Sequence, residues 1–197
     1  MTNYNYGRYV GEAVESVLGQ SRPADQIVLV DDGSTDDSRS VIEAYDSRIT
    51  IVTTENRGVV AATNEALARC EGEIVALLDA DDLLEPGRLA SLAAVYEADP
   101  DVQWVFNGLQ RIDRSSMEPL AMPGRIHFQP GRYDVRLEMA RGLLPLGTPP
   151  SSALSFRLSL IRTLLPIPNG IEAQDAFLAL LAMARSVGYL LDEPLTL

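Results

Sequence analysis

Short apolar runs alternate with stretches of helical spacing through the first half of the chain, and this alternation limits the possible folds most strongly. Residues 26–30 (QIVLV) and 74–78 (IVALL) have the length and the aliphatic content of buried strands. Residues 8–18 carry apolar side chains at helical spacing. Further strands are predicted at 49–53 and 102–106, and further helices at 37–45, 58–69 and 86–97. The alternation predicts an α/β fold with a mainly parallel sheet flanked by helices.

Two acidic clusters follow predicted strands directly. Asp31 and Asp32 end the first of these strands, and Asp79 and Asp81 come after the run at 74–78. Ligands of parallel α/β sheets bind beyond the carboxyl ends of the strands, so we expect the four carboxylates to face one crevice.

The spacing of Asp79 and Asp81 suits a hard divalent cation, Mg²⁺ or Mn²⁺, that bridges diphosphate oxygens. The alternative is a solvated acidic turn that caps the next helix. A second acidic turn at the same sheet edge favours the metal site. For Asp31 and Asp32 the pattern leaves two roles open, hydrogen bonding to a nucleotide or capping of a helix.

Composition excludes several classes of protein. The net charge of −12 repels nucleic acid and anionic lipid, so no nucleic-acid partner is expected. All basic residues are arginine, and without lysine the chain cannot be a P-loop protein, a protein kinase or a pyridoxal enzyme. One cysteine and one histidine exclude an internal disulfide and disfavour structural zinc, and they fit a reducing, cytoplasmic location.

The second half is less regular. Residues 107–150 are rich in Gly, Pro and Arg, which predicts a variable acceptor-side lobe with hairpin-like pieces. A strand at 152–156 and a helix at 174–186 are predicted beyond it. Trp104 and Phe106 are expected in the core, and His127 on the acceptor side.

Five segments occur in an order and spacing that are together specific. They are Thr2-Asn3-Tyr4-Asn5, VDDGSTDDS (30–38), ENRGVVAATNEAL (55–67), ALLDADDLLEPGRL (76–89) and EAQDAFL (172–178). In combination they resemble the inverting glycosyltransferase family 2. The resemblance implies a GT-A fold with a Rossmann-like sheet, in which residues 1–106 bind the nucleotide sugar and 107–197 the acceptor, as one domain.

The resemblance assigns nucleotide-binding roles to matching positions. It places Thr2 and Tyr4 at the nucleobase, with Tyr4 as a stacking face. It matches Asp32 to the acid that bonds the base and Asp79 to the acid on the ribose side. Arg57 is a candidate phosphate contact, because Thr63 stands where the family often has an arginine.

The resemblance also implies the catalytic groups. Asp81 matches the metal ligand, so Mn²⁺ or Mg²⁺ is the expected cofactor. Asp175 matches the general base, which would take the proton of an acceptor hydroxyl during a single, inverting displacement. Gln174 precedes it where the family commonly has a second acid, and Glu172 is a possible substitute.

These features predict a metal-dependent transferase that moves a sugar from a nucleoside-diphosphate sugar, expected to be a UDP-sugar, to a saccharide or lipid-linked acceptor. The product would be a polysaccharide or glycoconjugate, made in the cytoplasm or at the inner face of the membrane. A sugar-phosphate nucleotidyltransferase and a truncated, inactive nucleotide-binding or scaffold relative are the alternatives. The family's usual strand before Thr2 is missing, so truncation at both ends is expected, and the oligomeric state is left open.

Overall fold

The computed structural model describes residues 1–113, 115–121, 129–144 and 147–197, and His127 lies outside them. Its strands are β1 Thr2–Asn3, β2 Val28–Asp31, β3 Thr50–Thr53, β4 Ile74–Ala76, β5 Val102–Leu109, β6 Gly131–Tyr133, β7 Leu154–Arg157 and β8 Val187–Thr196. Its helices are α1 Gly7–Leu18, α2 Ser38–Glu43, α3 Val59–Ala68, α4 Arg88–Ala98, α5 Arg136–Ala140, α6 Leu158–Arg162 and α7 Gln174–Arg185. The predicted elements of the first half are confirmed to within a few residues, as are the strand and the helix beyond residue 150.

The strands form two sheets, which confirms the α/β class. The first has the order β1-β2-β3 and is parallel throughout. The second has the order β4-β7-β5-β8-β6, and its β5–β8 pair is parallel. It is mixed rather than mainly parallel, because β7 returns antiparallel between β4 and β5, and β6 runs antiparallel to β8.

Strands β1 and β8 were not predicted from the sequence. Thr2 and Asn3 form a short strand paired with Val30 and Asp31. The partner strand imposes this conformation, which two residues cannot reveal by periodicity. Strand β8 was not predicted, because its sequence VGYLLDEPLT contains Gly, Pro and two adjacent acids that are depleted in strands.

The second sheet carries the larger core. Trp104 stacks on Phe106 with 4.5 Å between ring centroids, and Phe106 meets Phe156 edge to face at 6.0 Å. Both Trp104 and Phe106 are buried, as predicted from the sequence. Helix α7 covers this cluster with Leu178 and Ala182, which fixes the start of α7 relative to the sheet.

Helix α1 holds the first sheet. Val10 and Val14 of its buried face pack with Leu29 of β2 and Ile42 of α2. Because β1 and β2 are parallel, the loops that follow them emerge at the same edge. Among the described helices, none combines the length and the apolar content that a membrane span requires.

The close approach of β8 to the indole ring gives a test of the core. A Cβ on Gly188 would lie 1.9 Å from Cδ2 of Trp104. We expect Gly188→Ala to destabilise the fold by roughly 3 kcal/mol, because overpacking displaces a fully buried ring. Thermal denaturation should show a fall in Tm of roughly 6–12 °C. In the control Gly87→Ala, the added Cβ meets nothing within 4 Å, and an equal fall there would contradict this explanation.

Candidate active site

The loops after β1 and β2 are joined by side-chain hydrogen bonds. Asn3 Nδ2 donates to Asp31 Oδ1 at 2.7 Å and to Ser34 Oγ at 3.1 Å. Asn5 Oδ1 accepts the backbone N–H of Thr35 at 2.7 Å. These bonds hold the segment that carries Thr2 and Tyr4 against the acidic loop after β2.

Asp79, which follows β4 of the second sheet, lies at the same edge. Thr2 forms an isolated parallel bridge with Asp79, so β1 lies between the two acidic clusters. The backbone N–H of Asp79 donates to Ser152 Oγ at 2.9 Å. The structure thus brings Asp31 and Asp79 to one edge, as expected from the strand pattern, and it places Thr2 between them.

Negative charge accumulates around Asp79. Burial, followed by repulsion from Asp82 and Asp81, raises the pKa of Asp79 to about 6, and a hydrogen bond with Ser151 partly opposes the rise. The pKa of Tyr6 is also raised, most strongly by the charge of Asp81. Asp79, Asp81, Asp82 and Tyr6 therefore share one site, and a bound cation would relieve its mutual repulsion.

Asp32 is buried and already orders a loop. Its Oδ1 accepts bonds from Thr54 Oγ1 at 3.2 Å and from the N–H of Arg57 at 3.0 Å, and its Oδ2 accepts the N–H of Gly58 at 2.8 Å. A carboxylate offers about four acceptor positions, so one remains for a ligand. Asp32 thereby fixes the loop that leads into α3.

Asp31 is also buried, and it acts between the first two loops. Its Oδ1 accepts bonds from Asn3 Nδ2 and Ser34 Oγ, and its Oδ2 accepts the N–H of Ser34 at 3.3 Å. These contacts order the loop after β2, a third role beside the nucleotide binding and helix capping that the sequence left open.

Helix α7 connects to the acidic site through one serine. Gln174 Nε2 donates to Ser151 Oγ at 3.4 Å, and Ser151 lies close enough to the Asp79 carboxyl group to lower its pKa. Asp175 follows Gln174 in the first turn of α7, where its Oδ1 accepts the N–H of Ala176 at 2.7 Å. Through Ser151, the start of α7, which carries the predicted general base, approaches the carboxyl group of Asp79.

The remaining predicted residues lie at the surface of this region. The Tyr4 ring is 44% exposed. Arg57 is exposed, and its backbone is anchored by Asp32. Among the described residues, no three His, Cys, Asp or Glu side chains converge as a metal-ligand set. Any cation would therefore complete its coordination with ligand or water oxygens.

The comparison with known families decides the assignment. Residues 1–159 match the family described as Glycosyl transferase family 2. The chain belongs to glycosyltransferase family 2. This membership favours the glycosyltransferase family over the nucleotidyltransferase alternative.

The relatives of this family 2 glycosyltransferase include an uncharacterized glycosyltransferase of Nostoc sp., which is 34% identical over 177 residues. That match covers 85% of this chain and 52% of the Nostoc protein. The match spans about half of the Nostoc protein and a smaller share of other relatives, for example 35% of the glycosyltransferase GlyG of Streptococcus pneumoniae.

Two solved structures confirm the GT-A fold. Residues 1–349 of TarS of S. aureus, in complex with UDP, superpose with a TM-score of 0.71 at 18% identity, covering 98% of this chain and 56% of that TarS chain. The mannosyltransferase PcManGT of Pyrobaculum calidifontis, in complex with GDP-Man and Mn²⁺, superposes with a TM-score of 0.68 at 26% identity, covering 98% and 53%.

Four residues of this region were not assigned roles from the sequence. Ser151 and Ser152 resemble a family segment, but only the 3₁₀ turn that they begin aims both at Asp79. In the sequence, Gln174 stood out only because the family commonly has a second acid at that position. In the structure, its side chain donates a hydrogen bond to Ser151. The sequence indicated no role for Tyr6, apart from its position two residues after Tyr4.

The raised pKa of Asp79 predicts a pH-dependent stability in metal-free buffer. A carboxyl group with a folded pKa of about 6, above its usual 3.8, stabilises the fold at low pH, and this contribution is lost as pH rises through 6. The Asp79→Asn variant has no carboxyl group at this position, so it does not titrate there. From pH 5 to pH 7.5 the wild type should therefore lose roughly 1 kcal/mol relative to Asp79→Asn.

Thermal melts of both proteins in EDTA at the two pH values measure this difference. The exposed Asp46→Asn serves as the control and should follow the wild type. A Tm difference between wild type and Asp79→Asn that is the same at both pH values would contradict the raised pKa.

Proposed function

We propose that this glycosyltransferase catalyses inverting, metal-assisted transfer of a sugar from a nucleoside-diphosphate sugar to an acceptor hydroxyl. The observation that carries the proposal is the link from Gln174 through Ser151 to Asp79. It joins the helix that bears the candidate base to the strand end that bears the candidate metal ligands.

The donor nucleotide would lie along the loops after β1 and β2. The exposed Tyr4 ring offers a stacking face for a base, and Asp32 retains one acceptor position. Arg57 stands just before α3, where a guanidinium and a helix N-terminus both favour a diphosphate. A UDP-sugar is the proposed donor, supported by the UDP complex of TarS, and PcManGT makes a GDP-sugar the alternative.

Asp79 and Asp81 fit a divalent cation. They are hard oxygen donors, and the like charges around Asp79 disfavour its ionised form unless a cation is present. When bound, Mn²⁺ or Mg²⁺ would supply positive charge that stabilises the departing diphosphate. The Mn²⁺ complex of PcManGT supports this assignment.

Asp175 would act as the general base. It lies in the first turn of α7, next to Gln174. As the acceptor oxygen bonds to the anomeric carbon, Asp175 takes the proton of that hydroxyl. The bond between the anomeric carbon and the diphosphate oxygen breaks on the opposite face, so the configuration inverts.

The acceptor is proposed to be a saccharide or a lipid-linked saccharide, and the pathway to be polysaccharide or glycoconjugate synthesis. The cytoplasmic location remains a prediction from composition.

Substitution of the metal ligand tests the first half of the mechanism. Asp81→Ala should lose the Mn²⁺-dependent stabilisation by UDP or GDP, because the diphosphate then meets an acidic site without a well-held cation. The measurement is the thermal shift with each nucleotide, in Mn²⁺ and in EDTA. Asp46→Asn should keep the wild-type shift, and a full shift in Asp81→Ala would remove Asp81 from the metal site.

Substitution of the base tests the second half. Asp175→Asn should lower kcat by about 10²–10⁴-fold, since the amide cannot accept the proton. Donor binding, measured as the nucleotide thermal shift, should be unchanged. Release of nucleoside diphosphate from UDP-, GDP- and dTDP-sugars measures turnover. The matched control is Glu172→Gln, an exposed acid three residues earlier. If Glu172→Gln lost activity while Asp175→Asn retained it, Glu172 and not Asp175 would be the base.

A further inference from the structure

Arg88, the first residue of α4, is fully buried. Its Nε donates to Asn107 Oδ1 at 3.0 Å. Its Nη1 and Nη2 donate to the carbonyls of Leu77 and Leu154 at 3.4 and 3.3 Å. Burial lowers the pKa of Arg88 to about 10, so the guanidinium remains charged at neutral pH. A buried charge is unfavourable, and these three acceptors are neutral oxygens, so packing alone does not account for an arginine at this position.

The two carbonyls that Arg88 binds lie where β4 ends and β7 begins. Leu77 stands two residues before Asp79, and Leu154 stands two residues after Ser152. The N–H of Leu77 donates to the Leu154 carbonyl at 3.0 Å. The N–H of Asp79 donates to Ser152 Oγ at 2.9 Å. Arg88 thus holds both backbone segments at the point from which they lead to the contact between Asp79 and Ser152.

A second connection runs through Asn107 and Thr196. Asn107 Nδ2 donates to Thr196 Oγ1 at 3.0 Å, and Thr196 Oγ1 donates to the Ser152 carbonyl at 2.9 Å. All three residues are buried. A continuous chain of hydrogen bonds therefore joins Arg88 to the serine that accepts the N–H of Asp79. Such a chain resists displacement, because a buried polar group that loses its partner destabilises the fold.

The end of β8 holds the acidic turn (residues 79–82) on its other side. Directly after the turn, Leu83 exchanges two backbone hydrogen bonds of 2.8 Å with Leu197. Thr196, the last residue of β8, forms an antiparallel bridge with Leu84. The backbone of Thr196 therefore pairs with the segment after the turn, while its hydroxyl belongs to the buried chain of hydrogen bonds.

The charge of Arg88 also acts on the acidic turn. Tyr96 and Asp82 partly oppose the effect of burial on the pKa of Arg88. The interaction with Asp82 places the buried positive charge within electrostatic reach of the turn. It therefore offsets part of the repulsion among the three aspartates of the turn, whether or not a cation is bound.

We propose that Arg88, Asn107 and Thr196 are positioning residues for Asp79. In this role they contact neither the donor nor the cation. They act through Ser152 and through the ends of β4 and β7, so that the Asp79 carboxylate has one fixed position when the cation binds. Loss of the contacts behind a metal ligand usually lowers metal affinity or activity by about 10–100-fold. This proposal rests on the proposed function of Asp79 as a cation ligand.

The main test variant is Thr196→Val, which nearly keeps the shape of the side chain and leaves the charge of Arg88 in place, but removes the hydroxyl. Thr196→Ser restores the hydroxyl and is the conservative rescue. Tyr96→Phe is the matched control. It also removes a buried hydroxyl, one on α4 that hydrogen-bonds Ser155 Oγ at 3.2 Å, outside the chain from Arg88 to Ser152.

Two measurements are made on each protein. The first is the affinity for Mn²⁺ at saturating UDP and, separately, at saturating GDP, followed by the electron paramagnetic resonance signal of free Mn²⁺. The second is hydrogen exchange at the amide of Asp79, which requires neither nucleotide nor cation.

Thr196→Val should weaken Mn²⁺ binding by at least about 10-fold, and it should speed exchange at the Asp79 amide by at least about 10-fold. Thr196→Ser and Tyr96→Phe should match the wild type in both measurements. An unchanged Mn²⁺ affinity in folded Thr196→Val would overturn the proposal. An equal loss of affinity in Tyr96→Phe would also overturn it, because general destabilisation would then be the cause.

If Thr196→Val does not fold, Arg88→Lys gives the second test. Lysine keeps the positive charge but lacks the fork of donors that reaches Asn107 and both carbonyls. Weaker Mn²⁺ binding together with faster exchange at the Asp79 amide supports the proposal, and wild-type values of both overturn it.

Failure of the proposed function is distinguishable from failure of the positioning role. If the wild type binds no Mn²⁺ with either nucleotide, Asp79 is not a cation ligand, and exchange at its amide decides the positioning role by itself. Faster exchange in Thr196→Val than in Tyr96→Phe then supports that role, and equal exchange overturns it.

Discussion

The position of Asp79 determines the geometry of the whole site. Its backbone bridges Thr2 of the first sheet and donates to Ser152 of the turn before β7, while its carboxyl group lies near Ser151, which lowers its pKa. Through Ser151 it also reaches Gln174 and the start of α7. Segments far apart in sequence, namely β1, β4, the turn at Ser151–Ala153 and α7, thus converge at one residue. Displacement of Asp79 would separate the nucleotide side from the candidate base.

This arrangement places like charges together in a protein that is already strongly acidic. The chain carries a net charge of −12, and Asp79 is buried beside Asp81 and Asp82. Such a cluster opposes folding in the ionised state and favours the binding of a cation, which screens it. The negative charges of the acidic loop after β2 are stabilised in a different way. Asp31 and Asp32 are satisfied by hydrogen-bond donors from neighbouring loops, so they can be buried without a cation.

The repeating elements were predictable because they obey local rules. Strands β2 and β4 and helices α1, α3 and α7 each carry an apolar pattern within a short window. Strand β8 was missed, since its pairing with β5 and the contact of Gly188 with Trp104 offset a sequence that is poor in strand formers. Strand β1 was missed for a similar reason, because only its partner β2 makes two residues extended. Tertiary pairing, which leaves no local signal, decided both.

The sequence by itself determined the α/β class, the family and the strand ends at which the acidic residues stand. These follow from patterns of neighbouring residues and from motifs in a fixed order. Only the tertiary structure decided that Ser151 connects Asp79 to Gln174, that Asp31 and Asp32 serve the loops around them, and that buried hydrogen bonds join Arg88 to Ser152. Each of these depends on distances between segments that are remote along the chain. Such distances are set by packing of the whole fold, which no local window of sequence contains.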